Sequence, residues 1–287
     1  MARTFSDLES FRRSGRAALG KGPAALLVVE DDVELVSTLD HLQGRGFTAI
    51  VAFAPSDIAL PEHPSEPLRI TADTRRAGAF ADAVNAALDV AAPGTWLHYC
   101  YNAEYLFYPF AESRSVGELL AFHSEERRSA MLTYVIDLYA DGETGVDLGA
   151  TQLDTTGYYA LARNDPKVAN GPAERQLDFF GGLRWRFEEH VEPSRRRIDR
   201  IGLFRAAPGL RLRPDHTFSE PEYNTYACPW HNNLTAAICS FRAAKALRAN
   251  PISRDEVGSF TWSGSAPFDW SSRQLLDLGL IEPGQWV

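Results

Sequence analysis

The chain lacks any apolar run approaching the roughly 18 residues that a membrane helix needs, so none of it reads as a membrane span. Cysteine is scarce: Cys100, Cys228 and Cys239 follow neither a disulfide framework nor zinc-site spacing. Positive charge is short as well. A formal net charge of −9 argues against non-specific nucleic-acid binding, which rests on a basic footprint. The opening MARTFSDLESFRRSGRAALGKG is basic and serine-containing but has no apolar centre, which excludes a signal peptide. It reads as a short docking helix, or alternatively an interfacial or targeting helix. Repeats, low-complexity tracts and clean linkers are missing too. Together these absences lead us to expect a soluble protein of a reducing, bacterial-style cytoplasm, without a membrane span or a nucleic-acid partner.

What is present is enough for a sizeable core: 287 residues, 45% of them hydrophobic. The first half alternates. Ala24–Val29, Phe47–Phe53 and Leu68–Ala72 read as strands. Asp31–Arg45 and Ala77–Ala92 have helical spacing, the first ended by Gly46 and the second by Pro93-Gly94. Trp96–Tyr108 reads as a fourth strand. In the second half, Asp154–Asp178 reads as irregular, Leu183–His190 and Arg196–Phe204 as Arg-bearing strands, and Trp230–Asn250 as a long helix closed by Pro251. The order predicts an α/β fold with a mainly parallel sheet and right-handed crossovers. The expected division is an N-terminal segment at 1–22, one α/β domain at 23–250, and a helical C-terminal extension at 251–287 packed on it.

The segment Trp96–Asp141 is the most informative. WLHYCYNAEYLFYPF and MLTYVIDLYAD flank a helical stretch, ESRSVGELLAFHSEERR. Asn102 and Glu104 interrupt an otherwise buried strand, where polar groups are costly unless they serve a purpose. That pattern points to a ligand or metal site at the carboxyl edge of a sheet. Asp137 lies inside a second apolar run and needs a partner, either an arginine or an acceptor that it orients.

LLVVEDD followed by a helix resembles the start of a response-regulator receiver domain. The likeness covers only about the first thirty residues of such a fold: Asp73 is the one candidate phospho-acceptor, and no lysine follows it before Lys167. Glu30, Asp31 and Asp32 therefore read either as a helix N-terminus favoured by the macrodipole or as a nucleotide-contacting edge.

A broader resemblance runs from about Ala24 to Ala249. Glu104–Pro109 (EYLFYP) matches the end of an acidic DxDE-type motif that leads into Tyr-Pro. IDLYAD (136–141) matches the segment after it, and GGLRWRF (181–187) matches a Gly-Gly-x-Arg-x-Arg segment. On these residues the chain resembles the family 2-like glycosyltransferases of GT-A fold. The resemblance implies a GT-A-like, Rossmann-like sheet. It also implies transfer of a sugar from a nucleotide-sugar donor to a glycan or surface-polymer acceptor, with divalent manganese or magnesium neutralising the diphosphate. Aligned on Tyr-Pro, the two motif aspartates fall on Tyr101 and Ala103, leaving Glu104 acidic and Asn102 able to offer a carbonyl oxygen. The polar pair after the first strand falls on Asp31 and Asp32. The aspartate after the second strand falls near Phe53-Ala54, with Asp57 close behind. Metal-independent transfer, a shifted ligand set and a non-catalytic binding or scaffold descendant all remain open. A metal-dependent hydrolase has no clustered His/Asp signature behind it.

Around that frame, Asp31, Asp32, Arg184 and Arg186 are candidates to hold the nucleotide and its phosphates. The arginines read alternatively as charges guarding an edge strand. Glu188, Glu189 and Asp137 are candidate catalytic groups, one of the glutamates as a general base; surface ion pairing is the other reading. Asn102, Glu104 and His231 form the candidate metal set, His231 standing near the start of the expected last helix. Asp215-His216 is a weaker candidate. Trp262, Phe268, Trp270 and Trp286 read as core or interface, with sugar stacking as the alternative. Cys228 has no base at a diagnostic spacing.

Overall fold

The computed structural model describes residues 4–20, 22–155, 159–165, 171–225 and 234–286. In chain order the strands are β1 Thr4–Phe5, β2 Ala24–Val28, β3 Ala49–Ala54, β4 Leu68–Thr71, β5 Trp96–Tyr101, β6 Glu104–Phe107, β7 Ala130–Tyr139, β8 Gln152–Asp154, β9 Tyr159–Asn164, β10 Pro172–Phe180, β11 Asp199–Arg205, β12 Ala236–Ser240 and β13 Ser265–Pro267. The α-helices are α1 Leu8–Ser14, α2 Leu35–Gly44, α3 Ala79–Val90, α4 Val116–Glu125, α5 Gly182–Arg186, α6 Arg242–Ala249, α7 Pro251–Glu256 and α8 Ser272–Asp277. Two units, each built from non-consecutive segments, divide the chain. The first comprises Met1–Leu106, Ser113–Met131 and Ile201–Asn224; the second comprises Phe107–Glu112, Leu132–Arg200 and Thr225–Val287.

The first unit is α/β with a mixed, mostly parallel sheet. β1, β4, β3, β2 and β5 pair side by side in parallel, and β11 lies antiparallel beside β5 with Leu203 opposite His98. β2 is an uninterrupted apolar run because both of its faces are covered; Ala24 through Val28 are all buried. The alanines of α3 (Ala79, Ala81, Ala83, Ala86, Ala87) are buried, and the helix stops before Pro93-Gly94 as expected. α4 begins with Ser115 and Glu118 capping each other reciprocally. The N-terminal segment is part of this unit. β1 extends the sheet, α1 packs on α3, and the buried Phe11 ring meets Phe5 and Phe53 edge-on.

The second unit holds the parallel pair β7–β12, with Asp137 opposite Ser240. β8 is antiparallel to β7, β13 is antiparallel to β8, and β9–β10 form an antiparallel hairpin. Tyr139, Leu183, Ala244, Leu247 and Phe260 form a buried apolar cluster.

Several sequence expectations need correction. Trp96–Tyr108 is two strands: the chain turns at Asn102-Ala103, where Ala103 has φ +60°. Leu183–His190 is helix α5 followed by a 3₁₀ turn. Gly182, at φ +64°, reverses the chain, so Arg184 and Arg186 do not alternate across a strand. Within Trp230–Asn250, the apolar run AAICS is a fully buried strand, and α6 starts only at Arg242. A short apolar run is ambiguous between buried strand and buried helix, and tertiary pairing with β7 decides it. Asp154–Asp178, expected to be irregular, carries β9 and most of β10.

Candidate functional site

In the first unit, β3 and β4 lie to one side of β2 and β5 lies to the other. The sheet order therefore reverses between β2 and β5. At such a switch point the loops leaving the carboxyl ends diverge, and open α/β sheets bind their ligands there.

Asn102 sits at this point and is wholly buried. Its Oδ1 accepts a hydrogen bond from the Glu30 N–H at 2.9 Å. Its Nδ2 donates to Asp31 Oδ1 at 2.6 Å and to the Val33 carbonyl at 2.9 Å. Asp31 also accepts from the Val33 N–H at 3.0 Å. The amide thus knits the loop after β2 to the turn after β5. Glu104 folds back: at 2% exposure, its Oε2 accepts from the Tyr101 N–H at 2.9 Å. The strained Ala103 is held by its N–H donating to Thr38 Oγ1 at 2.9 Å. Asp32 remains exposed at the rim.

The two described members of the candidate metal set face inward. The Asn102 oxygen that would ligate faces a backbone N–H, and the Glu104 carboxylate is turned into its own strand. Among the described residues, no group of three or more His, Cys, Asp or Glu side chains is disposed to hold a metal. His231 lies outside the described residues, as does Cys228.

The rim holds arginines that sequence reasoning passed over, beside the Asp57 that it had named. The Arg69 guanidinium donates to the carbonyls of Pro55 at 2.6 Å and Ile58 at 2.7 Å, pinning the loop after β3. Asp57, on that loop, is exposed and pairs with Arg75 Nη1 at 2.8 Å. That hydrogen bond holds its carboxyl below the ordinary aspartate value. Arg75 Nε donates to the Glu30 carbonyl at 2.9 Å, and the Thr74 hydroxyl donates to the Val29 carbonyl. Arg76 pairs with Asp82. The sequence signal for Arg75 and Arg76 is their place in the loop that follows β4.

The chain matches no family model. No curated protein matches it at a significant level.

The remaining candidates lie in the second unit. Asp137 lies near the end of β7, fully buried. It accepts from the Leu183 N–H at 2.9 Å and faces Arg184 Nη1 at 3.1 Å. Burial raises its carboxyl to about 6, against the opposing pull of Arg184. Arg186 Nη1 pairs with the buried Asp154 at 2.7 Å and Nη2 donates to the Phe260 carbonyl at 2.8 Å, while its guanidinium lies 4.4 Å from the Trp262 ring centre. Both arginines are therefore internal counter-charges. Glu188 is an exposed partner of Arg196 at 3.1 Å, and His190 stands between Glu189 at 3.8 Å and Glu256 at 3.4 Å. In the first unit, His216 accepts from or donates to the Tyr99 hydroxyl at 2.8 Å and stacks on Phe80, a packing role. Phe268 packs against Phe107 and Trp270, and Trp286 against Tyr108 and Phe110, so Phe268 and Trp286 are core, while Trp270 is half-buried and Trp262 exposed. Among the described residues, no helix is long and apolar enough to cross a membrane.

Proposed function

We propose that the chain binds a nucleotide-sugar at the carboxyl edge of its first unit, as a glycosyltransferase family 2-like protein of GT-A type, and holds it through arginine and backbone instead of a metal clasp. The observation that carries this reading is the exposed Asp57–Arg75 pair beside the β2/β5 switch point. A carboxylate acceptor and a guanidinium donor set lie side by side there. The carboxylate suits the N–H edge of a base, and the guanidinium suits a phosphate, which arginine grips with two hydrogen bonds. Asp32 adds an exposed acceptor for ribose or sugar hydroxyls.

Sugar transfer to a glycan or surface-polymer acceptor is the activity that the resemblance implies. The inward commitment of Asn102 and Glu104 favours a second form of the same reading: a binding or scaffold protein that keeps the nucleotide site and has lost metal-dependent turnover. Isothermal titration with UDP and with GDP, each with and without manganese, tests both. We expect micromolar binding of one nucleotide, unchanged by manganese and weakened about tenfold or more by Arg75→Ala. Binding that requires manganese would refute the metal-free assignment. No binding of either nucleotide would refute the site. Hydrolysis of the matching nucleotide-sugar then separates transferase from scaffold.

A further inference from the structure

Two residues at the candidate edge hold a backbone conformation that side chains disfavour. Glu34, directly before α2, has φ +55°, and Ala103, in the turn between β5 and β6, has φ +60°. Neither is glycine or asparagine, so each conformation is strained and persists only because its surroundings enforce it. One wholly buried hydroxyl joins the two. Thr38 Oγ1 donates to the Glu34 carbonyl at 2.6 Å and accepts from the Ala103 N–H at 2.9 Å. A second chain runs beside it. Ser37 Oγ donates to Glu34 Oε2 at 2.6 Å and therefore accepts from the Tyr105 hydroxyl at 2.8 Å. Asn102, next to Ala103, ties the same loop at the Glu30 N–H, Asp31 and the Val33 carbonyl. Residues 30–34 are thus clasped by a single turn, with Thr38 of α2 as the pin.

We propose that this clasp is a latch: residues 30–34 and the Asn102-Ala103 turn open and close as one unit, and Thr38 and Ala103 are positioning residues that hold Asp32 at the rim of the nucleotide site. The identity of the ligand rests on the function proposed above; the latch rests on the geometry alone. Opening breaks the bonds of Thr38 and Asn102, but it also frees Glu34 and Ala103 to return to negative φ. That relief offsets part of the loss, so the latch opens more readily than the sheet on which it stands. The parts are coupled through the backbone. Ala103 cannot leave φ +60° without moving Asn102 beside it, and Asn102 cannot move without releasing Glu30, Asp31 and Val33. A nucleotide that contacts the closed loop selects the closed state.

Hydrogen exchange of the full chain, read at the Glu30, Val33 and Ala103 amides against Leu26 in β2, tests it. In the wild type the three amides should share one opening equilibrium, more populated than that of Leu26. Thr38→Val keeps the shape and removes the hydroxyl. It should speed all three about tenfold or more, and Thr38→Ser, which keeps both bonds, should bring them back toward the parent's rates. The Thr38 hydroxyl bonds to neither the Glu30 nor the Val33 amide, so a merely local role would move Ala103 alone. Three amides that open independently overturn the latch, and so does a Thr38→Val variant whose Glu30 and Val33 exchange is unchanged. The wild-type comparison decides the matter even where Thr38→Val fails to fold. Saturating UDP or GDP should slow all three amides together. If neither nucleotide binds while the latch behaves as described, the nucleotide reading falls and the latch stands. If a nucleotide binds by titration and the three amides do not move together, the latch falls and the nucleotide reading stands.

Discussion

Replacing Asn102 separates a structural amide from a metal ligand. The side chain is wholly buried and makes three hydrogen bonds, to the Glu30 N–H, Asp31 Oδ1 and the Val33 carbonyl. Asn102→Ala removes all three and leaves buried backbone groups without a partner. At about 1 kcal/mol per bond plus the desolvation penalty of the orphaned groups, the loss is about 2–4 kcal/mol. Asn102→Asp keeps the shape and the bond from Glu30 but loses both donations. It sets a carboxylate where a donor now meets Asp31 at 2.6 Å and the Val33 carbonyl at 2.9 Å. That unpaired buried charge costs more than the deletion, about 4 kcal/mol or above at neutral pH. The new carboxyl is pushed up by burial and by Asp31, so its cost shrinks as pH falls and the protonated form can donate one bond. Urea unfolding at pH 5 and at pH 7, with and without manganese, gives the ranking wild type, then Asn102→Ala, then Asn102→Asp at pH 7, with the last two closer at pH 5. If Asn102→Asp matches the wild type, or if manganese raises its urea midpoint, position 102 is a ligand position and the structural account is wrong.

Asp137 sets a pH dependence of its own. Its folded value of about 6 lies above the unfolded 3.8, so the native state binds this proton more tightly. The contribution to stability is therefore greatest below about pH 4, falls as pH climbs to about 6, and is flat beyond. Asp137→Asn removes the dependence, so its stability relative to wild type should improve as pH rises across that window; a constant difference between the two would refute the assignment. Gly182 is at φ +64°, and a Cβ there would lie 2.5 Å from Asp137 Oδ2. Gly182→Ala should cost about 2 kcal/mol or more in a urea titration. Arg186→Met deprives the buried Asp154 of its 2.7 Å ion pair and should cost about 3 kcal/mol, read by thermal melting followed by circular dichroism. Glu188→Gln breaks only an exposed pair and should change stability by less than about 0.5 kcal/mol.

The sequence by itself determined the elements whose signals are local. The strands at 24–28, 49–54 and 68–71, helix α3 with its Pro-Gly stop and α4 with its capping box follow from apolar runs, helical spacing and cap residues. It also marked Asn102, Glu104 and Asp137 as polar groups in apolar surroundings that must have partners. The tertiary structure alone decided who those partners are. Asn102 bonds to a loop some seventy residues earlier, Asp137 to an arginine forty-seven positions later, and Asp154 to Arg186. It turned AAICS into a strand by pairing it with β7. It placed Asp57 and Arg75, eighteen positions apart, side by side on the loops after β3 and β4. Periodicity and propensity act over a few residues, whereas the pairing of a buried charge and the order of strands in a sheet depend on contacts between distant segments, which no local pattern encodes.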